Sequence, residues 1–417
     1  MQNKVKKQKA VITGMGVISP LGENVNEYWA NLEQGVSGIG PMTLCDPSEF
    51  PSKIAGEVNT FDPITYIDKK EAKRMARFSQ MAVAAANLAI ENANITFTKD
   101  ELNRTAVIIG NGNGGFPEIE QNARAQVLKG ETKVSPYFIP MILPNMAAAN
   151  ISRIFGFKGF SSTVVTACAA STQSIGDAAL LINNEMCDIV LAGGCESGIT
   201  KLGLGGFSAL RALSTQNEEP AKASKPFDIN RDGFVPAEGA GMFVIESEGH
   251  AIKRGANILC EIVGMGVSSD AHHPVQPDPS GDGAILSMER ALNNANINNE
   301  EIDYINAHGT STPLNDICET NALKKLFKEH AYKVPISSTK SMIGHVLGGA
   351  GALEGIATVL SIINQKAHPT INLKTPDPEC DLNYVPNKSV DVNINYAMSN
   401  NFGFGGQNAS IIFRKPN

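Results

Sequence analysis

The tetrapeptide Gly-Met-Gly-Val occurs twice in this chain, as Gly14-Met15-Gly16-Val17 and as Gly264-Met265-Gly266-Val267. Each copy lies in a strand-like run that opens one half of the sequence. The halves share a rhythm rather than a repeat: strand-like runs alternate with helix-length amphipathic segments throughout. Strands are expected at 10–18, 106–110, 162–166, 188–192, 242–246, 259–267, 302–306, 334–337 and 391–396. Helices are expected at 71–92, 147–155, 171–183, 283–294 and 318–327. That alternation predicts an α/β fold with largely parallel sheets. Pattern alone leaves duplication open, and no compositional linker separates domains.

Three positions along this framework carry chemistry. The run Ser162-Thr163-Val164-Val165-Thr166 breaks off at Ala167-Cys168-Ala169-Ala170-Ser171, where a helix of small residues begins. A thiol on such a turn sits at the positive end of a helix dipole, which lowers its pKa and turns backbone N–H groups toward any oxyanion. A free cysteine is more often a buried packing residue, so Cys168 alone leaves both readings open. His308, in Asn306-Ala307-His308-Gly309-Thr310-Ser311-Thr312, and His345, in Ser338-Thr339-Lys340-Ser341-Met342-Ile343-Gly344-His345, shift the balance toward catalysis. Both stand just past strand ends among Gly, Ser and Thr, where a ligand can approach backbone and hydroxyls.

Taken in order, Thr166-Ala167-Cys168-Ala169, the His308 motif, Lys340 with His345, and Asn401-Phe402-Gly403-Phe404-Gly405-Gly406 resemble the motifs of the β-ketoacyl-acyl-carrier-protein synthases, most closely the elongating synthase II type. The likeness runs from Val11-Ile12-Thr13-Gly14 to Ile411-Ile412-Phe413. It implies a duplicated thiolase fold, a five-layer α-β-α-β-α sandwich. Residues 1–255 would form the half with the nucleophilic cysteine, and 256–417 the half with the two histidines. It also implies an acyltransferase working by ping-pong decarboxylative Claisen condensation: Cys168 carries an acyl group, and malonyl-carrier protein extends it by two carbons.

The chemistry needs a thiolate that is both nucleophile and leaving group, and fixed donors for an enolate oxygen. Neutral His308 and His345 fit the second need, each such donor contributing about 3 kcal/mol in the transition state. By resemblance, the backbone N–H groups of Cys168 and Phe404 form the oxyanion hole of acyl transfer. Lys340 and Glu354 read as groups that position His345 and balance charge, or as an ordinary ion pair. Thr310 and Thr312 fall where the family holds a phosphopantetheine arm, and Phe207 and Asn113 map to the acyl channel. Synthase II relatives usually carry a bulky aliphatic residue at the place of Asn113. An amide in a fatty-acyl channel costs desolvation unless partnered, which keeps open the ketosynthase of a specialised type II polyketide or polyene pathway.

Lys69, Lys70, Lys73, Arg74 and Arg77 recur at helical spacing, either as a solvated face or as a docking stripe. Acyl carrier proteins are acidic, and Lys70, Lys73, Arg74, Lys133 and Arg211 match carrier-contacting positions of the family. The implied partners are thus an acyl carrier protein and a second copy, or a chain-length factor if the pathway is specialised. No cofactor is implied beyond the 4'-phosphopantetheine on the carrier.

Composition narrows the field further. With 42% hydrophobic and 18% charged residues the chain is a well-buried globular protein. Its net charge of −7 argues against nucleic acid as a bulk partner. Seven cysteines without framework spacing point to a reducing, cytoplasmic setting, and no Cys-x-x-Cys pair or His-Glu-x-x-His suggests a metal site. The start, with Lys4, Lys6, Lys7 and Lys9, mimics a signal peptide, but Gly14 and Gly16 interrupt its apolar part, so a first strand is expected. The apolar stretch 346–364 carries Glu354 and several glycines, which disfavours a membrane span. Gly110-Asn111-Gly112-Asn113-Gly114-Gly115 invites a dinucleotide reading, but Phe116-Pro117 is expected to keep it from opening a helix and no acidic ribose partner follows. A degradative thiolase would need a second cysteine in a C-terminal Cys-x-Gly turn, and a chain-length factor would lack Cys168.

Overall fold

The computed structural model describes residues 8–130 and 132–416; Lys4, Lys6 and Lys7 of the leader-like start lie outside them. Ten strands make up the main sheet: β1 (Ala10–Ile18), β2 (Ala106–Gly110), β3 (Ser161–Val164), β4 (Ile189–Glu196), β5 (Gly239–Ser247), β6 (Cys260–Ser269), β7 (Tyr304–Asn306), β8 (Ile336–Ser337), β9 (Tyr396–Gly403) and β10 (Gln407–Arg414). Their spatial order is β8-β7-β9-β10-β6-β1-β5-β4-β2-β3. Counted outward from the β1–β6 junction, the two sides are the same. Each runs first strand, fifth, fourth, second, third, with two antiparallel steps followed by two parallel ones.

The expectation of largely parallel sheets is therefore corrected: five of the nine pairings are antiparallel, counting the short β1–β6 contact. Alternation along a sequence cannot distinguish a crossover from a return. Only residues 404–406 join β9 to β10, far too few for a crossover, so that pair closes as a hairpin.

Six helices complete two equivalent sets: α1 (Arg77–Asn92), α2 (Met146–Phe155) and α3 (Ala170–Asn183), then α4 (Asp282–Ala295), α5 (Pro313–Phe327) and α6 (Ala350–Asn364). α1 and α2 cover one outer face, α4 and α5 the other. α3 and α6 pack on each other and reach strands of both sides, forming the middle layer. The result is five layers, α-β-α-β-α.

The repeated tetrapeptide has a packing cause. A Cβ on Gly16 would lie 2.0 Å from the carbonyl oxygen of Ala85 in α1, and one on Gly14 2.4 Å from that of Ala89. A Cβ on Gly266 would lie 2.0 Å from the Ser287 oxygen in α4, and one on Gly264 2.4 Å from that of Ala291. Between the glycines, Met15 donates its N–H to Asn92 Oδ1 at 2.9 Å and Met265 to Asn294 Oδ1 at 3.1 Å. The same helix is seated on the same strand twice, at a distance only glycine permits.

α6 explains the apolar stretch. Its window Leu347–Asn364 is long and apolar enough to cross a membrane, yet 89% of it is buried inside the fold. A helix apolar on every side is one surrounded by protein on every side.

Several boundaries differ from expectation. The helix expected over 71–92 is two, Lys69–Ala72 and Arg77–Asn92, so the five cations do not form one stripe. Lys69, Lys70, Lys73 and Arg74 are exposed, whereas Arg77 turns inward to pair with the buried Glu238. The strand expected over 391–396 shrinks to Val390–Asp391, paired with Lys366–Ala367. The glycine-rich loop after β2 opens directly into the helix Phe116–Lys129, with Pro117 in its first turn, where a missing N–H costs nothing.

Candidate active site

β3 ends at Val164, and a single 3₁₀ turn, Ala167–Ala169, carries Cys168 into α3. Ala167 takes φ +50, a left-handed conformation that costs an L-residue energy and bends the chain sharply. Gly110 and Gly194 let the start of α3 come down onto the sheet: a Cβ on either would fall within 2.5 Å of Ser171.

Cys168 is 7% exposed. Burial pushes its thiol up to about 11, only partly offset by the Lys340 ammonium and by the backbone N–H groups of Phe404 and of Cys168 itself. The expected lowering is thus corrected: desolvation outweighs the turn's positive end. Those same two N–H groups, of Phe404 and Cys168, are the ones the resemblance names for an oxyanion hole, and both act on the sulfur here.

His345 Nε2 stands 3.0 Å from Cys168 Sγ. Its Nδ1 accepts the Leu347 N–H at 3.2 Å, which leaves the ring proton on Nε2, facing the sulfur. His308 is built the same way. Its Nδ1 is approached by Lys340 Nζ at 3.2 Å and Asn401 Nδ2 at 3.3 Å, both donors, so Nε2 again carries the proton. Burial, with the charge of Lys340, holds both imidazoles well below the usual histidine range, and His345 adds to the effect on His308. Both rings are neutral donors at neutral pH, 5.5 Å apart between centroids and nearly perpendicular.

The ligand atoms of Cys168, His308 and His345 lie within 4.8 Å of one another, close enough to suggest a metal. The ring polarity speaks against it, because a ligating nitrogen must offer a lone pair and both Nε2 atoms offer a proton.

Lys340 and Glu354 are fully buried and paired, with Asn401 Nδ2 donating to the other carboxylate oxygen at 2.7 Å. The sequence motif joins this pair to His345; the structure instead sets Lys340 Nζ 3.2 Å from Nδ1 of His308, with Glu354, 14 residues further along the chain, as the partner of that ammonium. Two further carboxylates were not foreseen. Glu319 accepts the N–H groups of His308 and Gly309, each at 2.8 Å. Glu196 accepts those of Gly112, Asn113 and Gly348. Glu196 thereby fills the place a phosphate would take in the glycine loop, a physical reason why the dinucleotide reading fails. Nothing in the local sequence marks either residue, since each acts on a distant loop.

A cavity of about 760 Å³ opens over the triad. Asn113, Phe207, Arg211, Thr310, Thr312 and Phe404 line it with Cys168, His308 and His345. Phe207 meets Phe234 edge-on at 5.3 Å, and Phe234 meets His345 at the same distance. The hydroxyls of Thr310 and Thr312 bond each other at 2.8 Å. Asn113 Nδ2 is buried without a partner. Lys70, Lys73, Arg74 and Lys133 lie on the surface away from the cavity, with Arg74 stacked 5.3 Å over the Tyr137 ring.

Comparison with known proteins meets this geometry from outside. Residues 7–251 match the family model described as "Beta-ketoacyl synthase, N-terminal domain", and 259–374 match "Beta-ketoacyl synthase, C-terminal domain". The chain is 47% identical over 411 residues to a "3-oxoacyl-[acyl-carrier-protein] synthase 2" of Coxiella burnetii and 44% identical to one of Synechocystis, covering 99% of every chain involved. Among solved structures it resembles "The ishigamide ketosynthase/chain length factor" (TM-score 0.92, 34% identity, 99% of this chain and 100% of that one). It likewise resembles a beta-ketoacyl synthase from Burkholderia phymatum (TM-score 0.91, 34% identity, 98% and 100%).

Proposed function

Because the chain belongs to the β-ketoacyl synthase family and is an acyltransferase that condenses an acyl thioester with malonyl-carrier protein, we propose how its residues divide that work. Cys168 sulfur attacks the acyl thioester of the carrier. The oxygen that becomes negative is held by the N–H groups of Cys168 and Phe404, and the pantetheine thiolate leaves with the cysteine proton. His345 Nε2–H supports the charge that grows on sulfur as that proton departs, which a thiol near 11 requires.

Malonyl thioester then enters, and the bond to its terminal carboxylate breaks, releasing carbon dioxide. The electron pair passes into an enolate whose oxygen takes the two Nε2–H donors of His308 and His345. The enolate carbon attacks the acyl carbonyl on Cys168 and expels the sulfur as thiolate, which takes up one proton from solvent. The supporting observation is the convergence of Sγ and two proton-bearing ring nitrogens in one cavity.

Thr310 and Thr312 are proposed to hold the pantetheine arm, Asn113 and Phe207 to bound the acyl chain, and Lys70, Lys73, Arg74, Lys133 and Arg211 to attract an acidic carrier. The unpartnered Asn113 amide favours a chain with an oxygen or unsaturation along it, as a specialised polyene or polyketide pathway would supply. We place the two halves at 1–255 and 256–417, Gly255 ending the last helix of the first at φ +72. A homodimer is proposed on β3, which ends the sheet with its outer edge unpaired among the described residues and flanked by exposed Phe160 and Val165. All seven cysteines are unpaired, which supports a cytoplasmic setting. Exposure to acyl-carrier protein should raise the intact mass by one acyl group. Cys168→Ala should remove the adduct, and an adduct that persists would overturn the assignment.

A further inference from the structure

The Asn401 amide does more than fill the space behind His308. Its Nδ2 donates to Glu354 Oε2 at 2.7 Å and points its second hydrogen at His308 Nδ1, 3.3 Å away. Its Oδ1 accepts the hydroxyl of Thr172 in the first full turn of α3. The orientation of the amide is fixed by Glu354, because reversing it would set Oδ1 against the carboxylate oxygen that Nδ2 now serves. Asn401, Thr172 and Glu354 are all buried. Gly351 makes the arrangement possible: a Cβ there would lie 2.0 Å from Thr172 Oγ1 and 2.7 Å from Asn401 Oδ1.

We propose that Asn401, held by Thr172, is a positioning residue that fixes His308 as the Nε2–H tautomer for enolate stabilisation. The inference rests on the condensing reading above. Lys340 alone offers Nδ1 a flexible, charged donor that Glu354 also claims. Asn401 adds a rigid neutral donor from β9, clamped on its far side by a helix of the other half. The Thr172–Asn401 contact therefore carries alignment from the Cys168 helix to His308, coupling the two halves of the site. No hydrogen bond of Asn401 or Thr172 reaches the sulfur or the N–H groups of Cys168 and Phe404, so acyl loading should depend on them far less than decarboxylation does.

The isosteric Asn401→Asp variant tests this, because a carboxylate beside Nδ1 accepts a proton where the amide donated one. Decarboxylation of malonyl-carrier protein should fall on the order of a hundredfold, the loss of one aligned oxyanion donor, while acyl loading of Cys168 followed by mass stays within twofold. The ¹⁵N shifts of the labelled His308 ring should move from the Nε2–H pattern to Nδ1–H or imidazolium. Thr172→Val, which releases the clamp and keeps the shape, should cost roughly tenfold in decarboxylation, less than the loss of a whole oxyanion donor, and lower the melting temperature by only a few degrees through the Asn401 Oδ1 left without its donor. Parent-like decarboxylation or an unmoved ¹⁵N pattern in Asn401→Asp overturns the proposal, as does an equal loss of loading and decarboxylation. A parent enzyme that neither loads acyl groups nor decarboxylates malonyl-carrier would instead remove the condensing reading itself.

Discussion

The loop after β2 and the loop after β7 hold matching places in the two halves, and each is fastened by a buried carboxylate. Glu196 takes the N–H groups of Gly112 and Asn113, and Glu319 those of His308 and Gly309. Burial pushes both carboxyls up to about 7 in spite of those bonds. The loops differ in what stands at the tip and behind it. One presents the amide of Asn113, whose Nδ2 finds no acceptor; the other presents His308, whose Nδ1 is met by the donors Lys340 and Asn401. Duplication thus supplies the scaffold, and chemistry arises where distant groups converge on one tip.

Exchanging the tips exposes the difference most strongly. His308→Ala should lower malonyl decarboxylation a hundredfold or more, about the 2.7–4 kcal/mol of a lost oxyanion donor. Asn113→Ile should leave decarboxylation near the parent rate and shift the ranking of acyl chains toward saturated ones. An unpaired buried amide costs about 1–3 kcal/mol, which sets the size of that shift. Acyl-enzyme formation across a chain panel measures the ranking, and an unchanged order would mean that Asn113 does not set specificity.

The fastenings come next. A carboxyl that titrates near 7 in the folded chain and near 4.5 unfolded binds its proton earlier in the folded state. Its ionised form therefore weighs against folding above pH 7, and that cost is relieved as pH falls from 7 toward 4.5. Protonation also weakens the grip on the loop N–H groups. Both histidines remain neutral there, since their pKa values lie well below 6.5. Decarboxylation should accordingly decline below pH 7 through Glu319. Glu319→Gln should flatten that limb and cost about tenfold at pH 8, a charged hydrogen bond being worth roughly 1.5–3 kcal/mol. Glu196→Gln should keep the limb. A limb that survives in Glu319→Gln would assign it to another group.

This contrast also explains what was legible in the sequence. Cys168, His308 and His345 are announced by their local setting, a strand end followed by small residues, and the order of four motifs carried the fold. Lys340 and Glu354 were legible as a pair, but not which ring they serve, because that depends on how α6 lies against β9. Glu196, Glu319, Thr172 and the role of Asn401 act across 10 to 229 residues of sequence separation, and no periodicity encodes such contacts. The rise in the Cys168 pKa is a property of the packed interior, which outweighs the helix end that sequence does reveal. Arg77 likewise carried the spacing of a surface cation and was claimed by buried Glu238.

The smallest effect on turnover, and the closest test of equivalence, lies at the repeated glycines. Gly16→Ala and Gly266→Ala each place a methyl 2.0 Å from a helix carbonyl oxygen, of Ala85 and of Ser287. The obstacle is backbone, so no rotamer change relieves it, and α1 or α4 must slide along its strand. Overpacking of this kind costs about 1–3 kcal/mol. Gly40→Ala, with nothing within 4 Å of the new methyl, is the control and should fall within about 0.5 kcal/mol of the parent. Because α1 and α4 are the outer layers, decarboxylation per folded molecule should not change in any of the three. If the halves are packed alike, the losses at Gly16 and Gly266 should agree within about 0.5 kcal/mol, the scatter of independent sites. A loss confined to one of them, read by denaturant unfolding of both variants, would show that the shared tetrapeptide is under different constraint in each half, and that the symmetry of strand order does not extend to the helix–sheet contact.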